Sequence, residues 1–274
     1  MDGLVRVTRG VWRPAASVDD LAGRVAALLS AAPDGTVVGG LAVGQLRGLW
    51  LPEEFTGPVE LLLRGDIEVP HAHAHSKRRE FLDRRRKLLP DEIEIVDGLP
   101  MTSLSRTWVD LGERLSMPDL VAAGDSALRA GASLDQLAMM AARARRRGGI
   151  VRVRAALPLL NARSRSRPES HLRYALVSSG LPEPAVNEPI HDQYGQWLGE
   201  PDLSYDDVQL AIEYNGADHA KVRRMRRDIT REVDIGFRGR WRTVTFGPVE
   251  VFGRPDQIAS YVRELRRERA RLAS

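Results

Sequence analysis

Apolar positions recur along the chain with two periods, and the changes of period mark the predicted elements. Near the start, Val5, Val7 and Val11 alternate with polar or glycine positions and stop at Pro14, which predicts a short strand pair around Gly10. Leu21, Val25, Leu28 and Leu29 follow at helical spacing, opened by Ser17, Asp19 and Asp20 and closed by Pro33-Asp34-Gly35. The run TVVGGLAVGQLRGLWLP predicts a second helix ending near Gly48. VELLLR, IEVPHAH and EIEIVDGLPMT predict strands, the last folding back at Asp97-Gly98. Ser103 or Ser105 caps a helix through Leu111, and Pro118 to Arg147 reads as helical twice over, interrupted at Gly131.

The polar stretch NARSRSRP, residues 161–168, predicts a domain boundary. Residues 1–160 then form an α+β domain, mostly helical in its second half, and residues 161–274 an α/β domain. In the latter, RPESHLRYALVSSG reads as a helix closed by Gly180, and PAVNEPI, GEPDLSYD and VQLAIEYNG as strands. HAKVRRMRRDITREVDIG reads as a helix, WRTVTFGPVEVF as one or two strands, and PDQIASYVRELRRERARL as a C-terminal helix with Pro255 near its start.

With 274 residues, 43% of them hydrophobic, the chain is long enough for two cores and too apolar for disorder to be its main state. The absence of cysteine excludes a disulfide scaffold, a thiolate zinc site and thiol catalysis. No run approaches the roughly 18 apolar residues of a membrane span, and Arg6 and Arg9 fall where a signal peptide needs its apolar stretch, so a cytoplasmic protein with no membrane partner is expected. A net charge of +4 does not by itself indicate nucleic acid. Lysine occurs only at Lys77, Lys87 and Lys221, an arginine bias that a GC-rich genome explains as well as phosphate recognition does.

The chemistry concentrates in PDLSYDDVQLAIEYNG. Asp202 follows Pro201, Glu213 interrupts the apolar run Leu210 to Tyr214, and a turn at Asp206-Asp207 puts the two acids on neighbouring strands. A carboxylate in a buried strand needs a partner or a cation to offset its desolvation. Magnesium, which takes one or two carboxylates plus water and phosphate oxygens, fits such a pair, and a salt bridge from Glu213 to an arginine is the alternative.

Pro201-Asp202 followed by Glu213-Tyr214-Asn215 resembles the PD-(D/E)XK nuclease core. IEYNGADH followed by RRDITREVDIGFRGRWRTVTF resembles its very-short-patch-repair-like branch, through Glu213, Gly216, His219, Asp228 and Arg231, over residues 165 to 265 or so. The resemblance implies a restriction-endonuclease-like mixed sheet flanked by helices. It further implies a magnesium-dependent DNA endonuclease, acting in repair or in defence against phage or plasmids, whose metal is held by Asp202, Glu213 and the Tyr214 carbonyl. Asn215 stands where the branch carries an acid and the wider superfamily a lysine. His219 is then the candidate for proton transfer, or else a capping or core histidine. Glu169 is the candidate helix acid, or else the closing member of a Ser166 capping box.

Lys221, Arg223, Arg224, Arg226 and Arg227, with no acid among positions 220–227, suit phosphate contacts, as does Arg231; a solvated helix face is the alternative. Arg143, Arg145, Arg146 and Arg147 form a second basic cluster and Arg84 to Lys87 a third. RVTRGVW, VVGGLAVGQLRGLWLP and DGLPMTSLSRTWVDLG are similar to AbiEi-type antitoxins, loosely over residues 4 to 130. There Arg6 through Trp12 correspond to a wing, and Thr102, Arg106, Thr107 and Asp110 to a recurrent structural element. This likeness begins at the wing, so the upstream recognition helix of that family is not carried over. It implies a second function: a catalytically silent regulator that binds DNA or a toxin or other defence-system protein. His71, His73 and His75 alternate but have no fourth ligand nearby, Gly35 to Gly48 lacks both nucleotide-binding spacings, and Met139-Met140 is expected in the core.

Overall fold

The computed structural model describes residues 4–8, 11–14, 21–53, 59–64, 81–86, 88–216 and 240–273. The chain is a mixed α/β protein that divides into two compact units, Met1–Pro158 and Leu159–Ser274.

In the first unit, β1 (Leu4–Thr8) and β2 (Val11–Pro14) pair antiparallel as the alternation predicts. Helix α1 (Leu21–Ser30) is followed by β3 (Val37–Gly39), which runs directly into α2 (Gly40–Leu46). The single helix expected across this stretch is therefore shorter and preceded by a strand, because Gly40, at φ 63°, turns the chain out of the extended run. Strands β4 (Val59–Arg64), β5 (Phe81–Arg86), β6 (Ile93–Val96) and β7 (Leu99–Thr102) complete a five-stranded sheet in the order β5-β4-β3-β7-β6. Strand β5, whose sequence FLDRRR reads only as a basic cluster, pairs parallel with β4. Val25, Leu28, Val38, Ala42, Val43 and Met101 form the core between sheet and helices.

Four helices follow: α3 (Leu104–Leu111), α4 (Met117–Arg129), α5 (Leu134–Arg143) and α6 (Ile150–Ala156). Ser116 caps α4, and Ser133 with Gln136 closes a capping box on α5, so their starts are written in local sequence. Trp108 is fully buried and donates its indole N–H to the Leu120 carbonyl at 2.9 Å. Thr102, Arg106, Thr107 and Asp110 lie in a largely buried polar network. Arg106, at 0% exposure, contacts Glu92 and Asp110 at 2.8 Å each, Arg147 reaches Asp110 at 2.7 Å, and the Thr102 and Thr107 hydroxyls meet at 2.7 Å.

In the second unit, α7 (Arg167–Ser178) precedes β8 (Ala185–Val186), β9 (Ile190–His191), β10 (Trp197–Gly199), β11 (Leu203–Tyr205), β12 (Leu210–Tyr214) and β13 (Arg242–Phe246). PAVNEPI and GEPDLSYD are each split into two strands belonging to different sheets. Asn187 takes φ 48° and Pro189 and Pro201 withhold ladder donors, so neither stretch can pair continuously. The second half of WRTVTFGPVEVF is not a strand but α8 (Pro248–Gly253), with Pro248 in its first turn and Glu250 accepting from the Gly247 amide at 3.0 Å. Helix α9 (Pro255–Ala273) ends the unit.

The main sheet runs β13-β12-β11-β8, antiparallel except for the parallel β12–β13 pair. Leu203, Tyr205, Leu210, Ile212 and Phe246 face Leu172, Leu176, Ile258 and Val262 of the helices. Alternation sends Ala211 to the other face, where it packs with Trp241 and with Ile190 and Leu198 of the β9–β10 hairpin. The strand expected at IEVPHAH, the histidines at 71, 73 and 75, and the helix expected over HAKVRRMRRDITREVDIG lie outside the described residues.

Candidate functional site

The antiparallel register pairs Leu203 with Ile212, and Asp202, at the bend just before β11, reaches the end of β12 beside Glu213. The 3-10 turn Asp206–Val208, with Gln209 at φ 50°, sets that register. Asp202 is fixed at the strand entrance: its Oδ2 accepts the Tyr214 amide at 2.7 Å, while its carbonyl accepts the Asn187 amide at 3.0 Å. Glu213 pairs with Thr245 of β13 on its other side, and Asn215 donates its amide to the Phe246 carbonyl at 2.9 Å. Asp202, Glu213 and Tyr214 are half-buried and Asn215 is exposed, so Glu213 is less deeply embedded than the apolar run around it suggests. Burial pushes the Tyr214 phenol above its ordinary value.

Glu169 resolves in favour of the cap. Its carboxylate accepts from the Arg165 amide at 2.8 Å, the Ser166 hydroxyl at 2.7 Å and the Asn187 side-chain amide at 2.8 Å, while the Ser166 hydroxyl accepts from the Glu169 amide at 3.4 Å. Both carboxylate oxygens are thus engaged at the helix start, and the residue is buried. The residue that sequence reasoning missed is Asn187. Its side chain also donates to the Arg163 carbonyl at 2.9 Å, so its side-chain amide holds the start of α7 while its backbone amide holds Asp202. The available signal was an Asn between Pro184 and Pro189, a residue type suited to the left-handed turn it occupies.

The structure therefore brings Asp202, Glu213, Tyr214 and Asn215 to one end of the sheet, with Glu169 linked to them through Asn187. His219, Lys221, Arg223, Arg224, Arg226, Arg227, Asp228 and Arg231 lie outside the described residues. Among the described residues no group of three or more His, Asp or Glu side chains is arranged to hold a metal, and no helix is long and apolar enough to cross a membrane. Of the second basic cluster, Arg143 pairs with Asp91 and Arg147 with Asp110, leaving Arg145 and Arg146 exposed on the surface. Met140 is in the core, but Met139 is 44% exposed.

The fold and this carboxylate pair define a two-unit α/β protein with acids clustered at one sheet end. The chain is 31% identical over 278 residues to the uncharacterized proteins MT2308 and Rv2248 from two strains of Mycobacterium tuberculosis, covering 99% of this chain and 95% of theirs. It belongs to their family. No family model and no solved structure matches the chain.

Proposed function

We propose that the second unit is a PD-(D/E)XK restriction-endonuclease-like domain and that the protein is a magnesium-dependent DNA endonuclease. The observation that carries this reading is the hydrogen bond that brings the Asp202 carboxylate to the Tyr214 amide, next to Glu213, at the end of a mixed sheet flanked by α7, α8 and α9. Two carboxylates are what magnesium takes from a protein when phosphate oxygens and water complete its shell. Asp202, Glu213 and the Tyr214 carbonyl would hold the ion, which when bound neutralises charge developing on the phosphate and activates a water.

The chain's own contributions follow from its contacts. The Tyr214 amide orients Asp202, and Asn187 holds that strand to α7. Glu169 acts as a positioning residue, since its oxygens are engaged by the cap. Asn215 carries a neutral amide that can donate to a phosphate oxygen but cannot accept a proton, so proton transfer falls to His219 on sequence grounds. With magnesium, the full chain is expected to nick supercoiled plasmid. Asp202→Ala and Glu213→Ala are each expected to lower nicking by about a hundredfold or more while DNA binding persists. Nicking that persists in both variants, or its absence from the wild-type chain with magnesium or manganese, would overturn the reading.

One observation favours a second reading: Asn215, a neutral amide, stands where the resemblance expects the acid or lysine that would activate water. On that reading the protein is a catalytically silent, antitoxin-like regulator. It would retard DNA or retain a protein partner with no cleavage under any divalent cation.

A further inference from the structure

Two serines compete for the cap of α3, and Ser103 takes it: its hydroxyl accepts the Arg106 amide at 3.3 Å and its carbonyl the Thr107 amide at 2.8 Å. Ser105 is left 6% exposed, with no hydrogen-bond partner for its hydroxyl among the described residues. The amides of Leu104 and Ser105 belong to the first turn, where the helix supplies no acceptor, and they too have no partner among the described residues. Leu104 and Ser105 line a cavity of about 200 Å³ within the first unit. Arg47 and Glu94, paired at 2.5 Å, also line it, as do Asp91, held by Arg143, and the part-exposed Met139.

The signs of these groups restrict the ligand. A helix start whose donors meet no protein acceptor favours an oxyanion. An anion alone would also face the Glu94 and Asp91 carboxylates, and a cation alone would face the helix start and Arg47. An apolar molecule would leave the donors unsatisfied at a desolvation cost. A molecule with both charges avoids each conflict, and the cavity is too small for a nucleotide or a folded peptide segment. We propose that this cavity binds a free amino acid or a zwitterion of that size. The carboxylate takes the α3 amides and the Ser105 hydroxyl, the ammonium meets Glu94 and Asp91, and the apolar portion lies along Met139. This site is independent of the nuclease reading.

Calorimetric titration of the full chain with each of the proteinogenic L-amino acids, acetate, methylamine and inorganic phosphate tests it. At least one amino acid is expected to bind with Kd of about 1 mM or tighter, and the single-charge probes about tenfold more weakly or worse. Ser105→Ala is expected to weaken that binding about tenfold without lowering the melting temperature of the unliganded protein, because the lost hydroxyl has no partner there. Glu94→Gln, at a part-exposed position where folding is not at risk, is expected to weaken amino-acid binding and leave acetate binding unchanged or stronger. The proposal is overturned by any of three results: no heat from any amino acid up to about 10 mM, acetate or phosphate binding as tightly as the best amino acid, or unchanged affinity in both variants.

Discussion

Asn187 concentrates several demands on one side chain. It sits at φ 48°, and its amide serves two acceptors, one of them the buried Glu169 carboxylate. Replacing it by alanine removes both bonds, leaves Glu169 short of a donor and puts a Cβ-bearing residue without local hydrogen bonding into the left-handed region. A loss of roughly 2–4 kcal/mol in denaturant unfolding is expected. Asn187→Gly should recover only the backbone part, about 1 kcal/mol, because glycine takes that conformation without strain. Equal losses in the two variants would show that the backbone contributes nothing. A loss below about 0.5 kcal/mol in both would show that the amide is not holding α7 to the Asp202 strand. If the carboxylate pair works as proposed, nicking should fall in both variants, because the lost side-chain amide anchors to α7 the residue whose backbone N–H holds the Asp202 carbonyl.

At the scale of elements, the boundary between what sequence discloses and what it hides follows the range of the forces involved. Helices α4, α5 and α7 carry their own start signals in Ser116, Ser133 and Ser166, and α1 and α9 carry apolar periodicity, so local rules suffice for them. Strands β8 and β9 are two residues long, too short for any period, and are defined only by the partners they find in different sheets. Strand β5 is legible only through its pairing with β4. Within the site, the approach of Asp202 to the end of β12 was legible because a short turn joins the two strands. The role of Glu169 was ambiguous because the deciding donor, Asn187, lies 18 residues away. The α3–α6 junction shows the same dependence on distant partners. Gly149, at φ 75°, approaches the Gly112 backbone so closely that a Cβ would stand 2.0 Å from its carbonyl oxygen. Gly149→Ala is therefore expected to cost roughly 2–5 kcal/mol, from left-handed strain plus a clash with backbone that cannot turn aside. Gly180→Ala, at φ 80° with open space where its Cβ would go, should cost only about 1–2 kcal/mol by the same measurement. Similar losses for the two would remove the close approach as a cause.

For the whole molecule, the question is where a chain of net charge +4 would hold DNA. Many of its described arginines are already committed. Arg106, Arg143 and Arg147 pair with carboxylates, Arg163, Arg263 and Arg269 donate to backbone carbonyls, and Arg266 pairs with Asp207 while stacking on Tyr205. Such groups have little left to offer a phosphate without loss of a structural contact. The acid-free run from Lys221 to Arg227, the cluster Arg84 to Lys87 and the exposed pair Arg145 and Arg146 are concentrations of charge that sequence and burial single out. Each duplex phosphate neutralised contributes about 0.9 to the log-log dependence of affinity on salt. Replacing Arg223 and Arg224 by glutamine should accordingly flatten that slope by about two and weaken binding alike across sequences. The melting temperature should change little if these positions face solvent, since exposed charges contribute at most about 1 kcal/mol. The same substitutions at Arg145 and Arg146 report on the first unit. A slope that flattens only in the second pair would move the DNA surface to the first unit. A slope unchanged in both and in an Arg84→Gln/Arg85→Gln variant, with intact folding, would leave the acid pair of the second unit without the phosphate contacts that a nuclease requires.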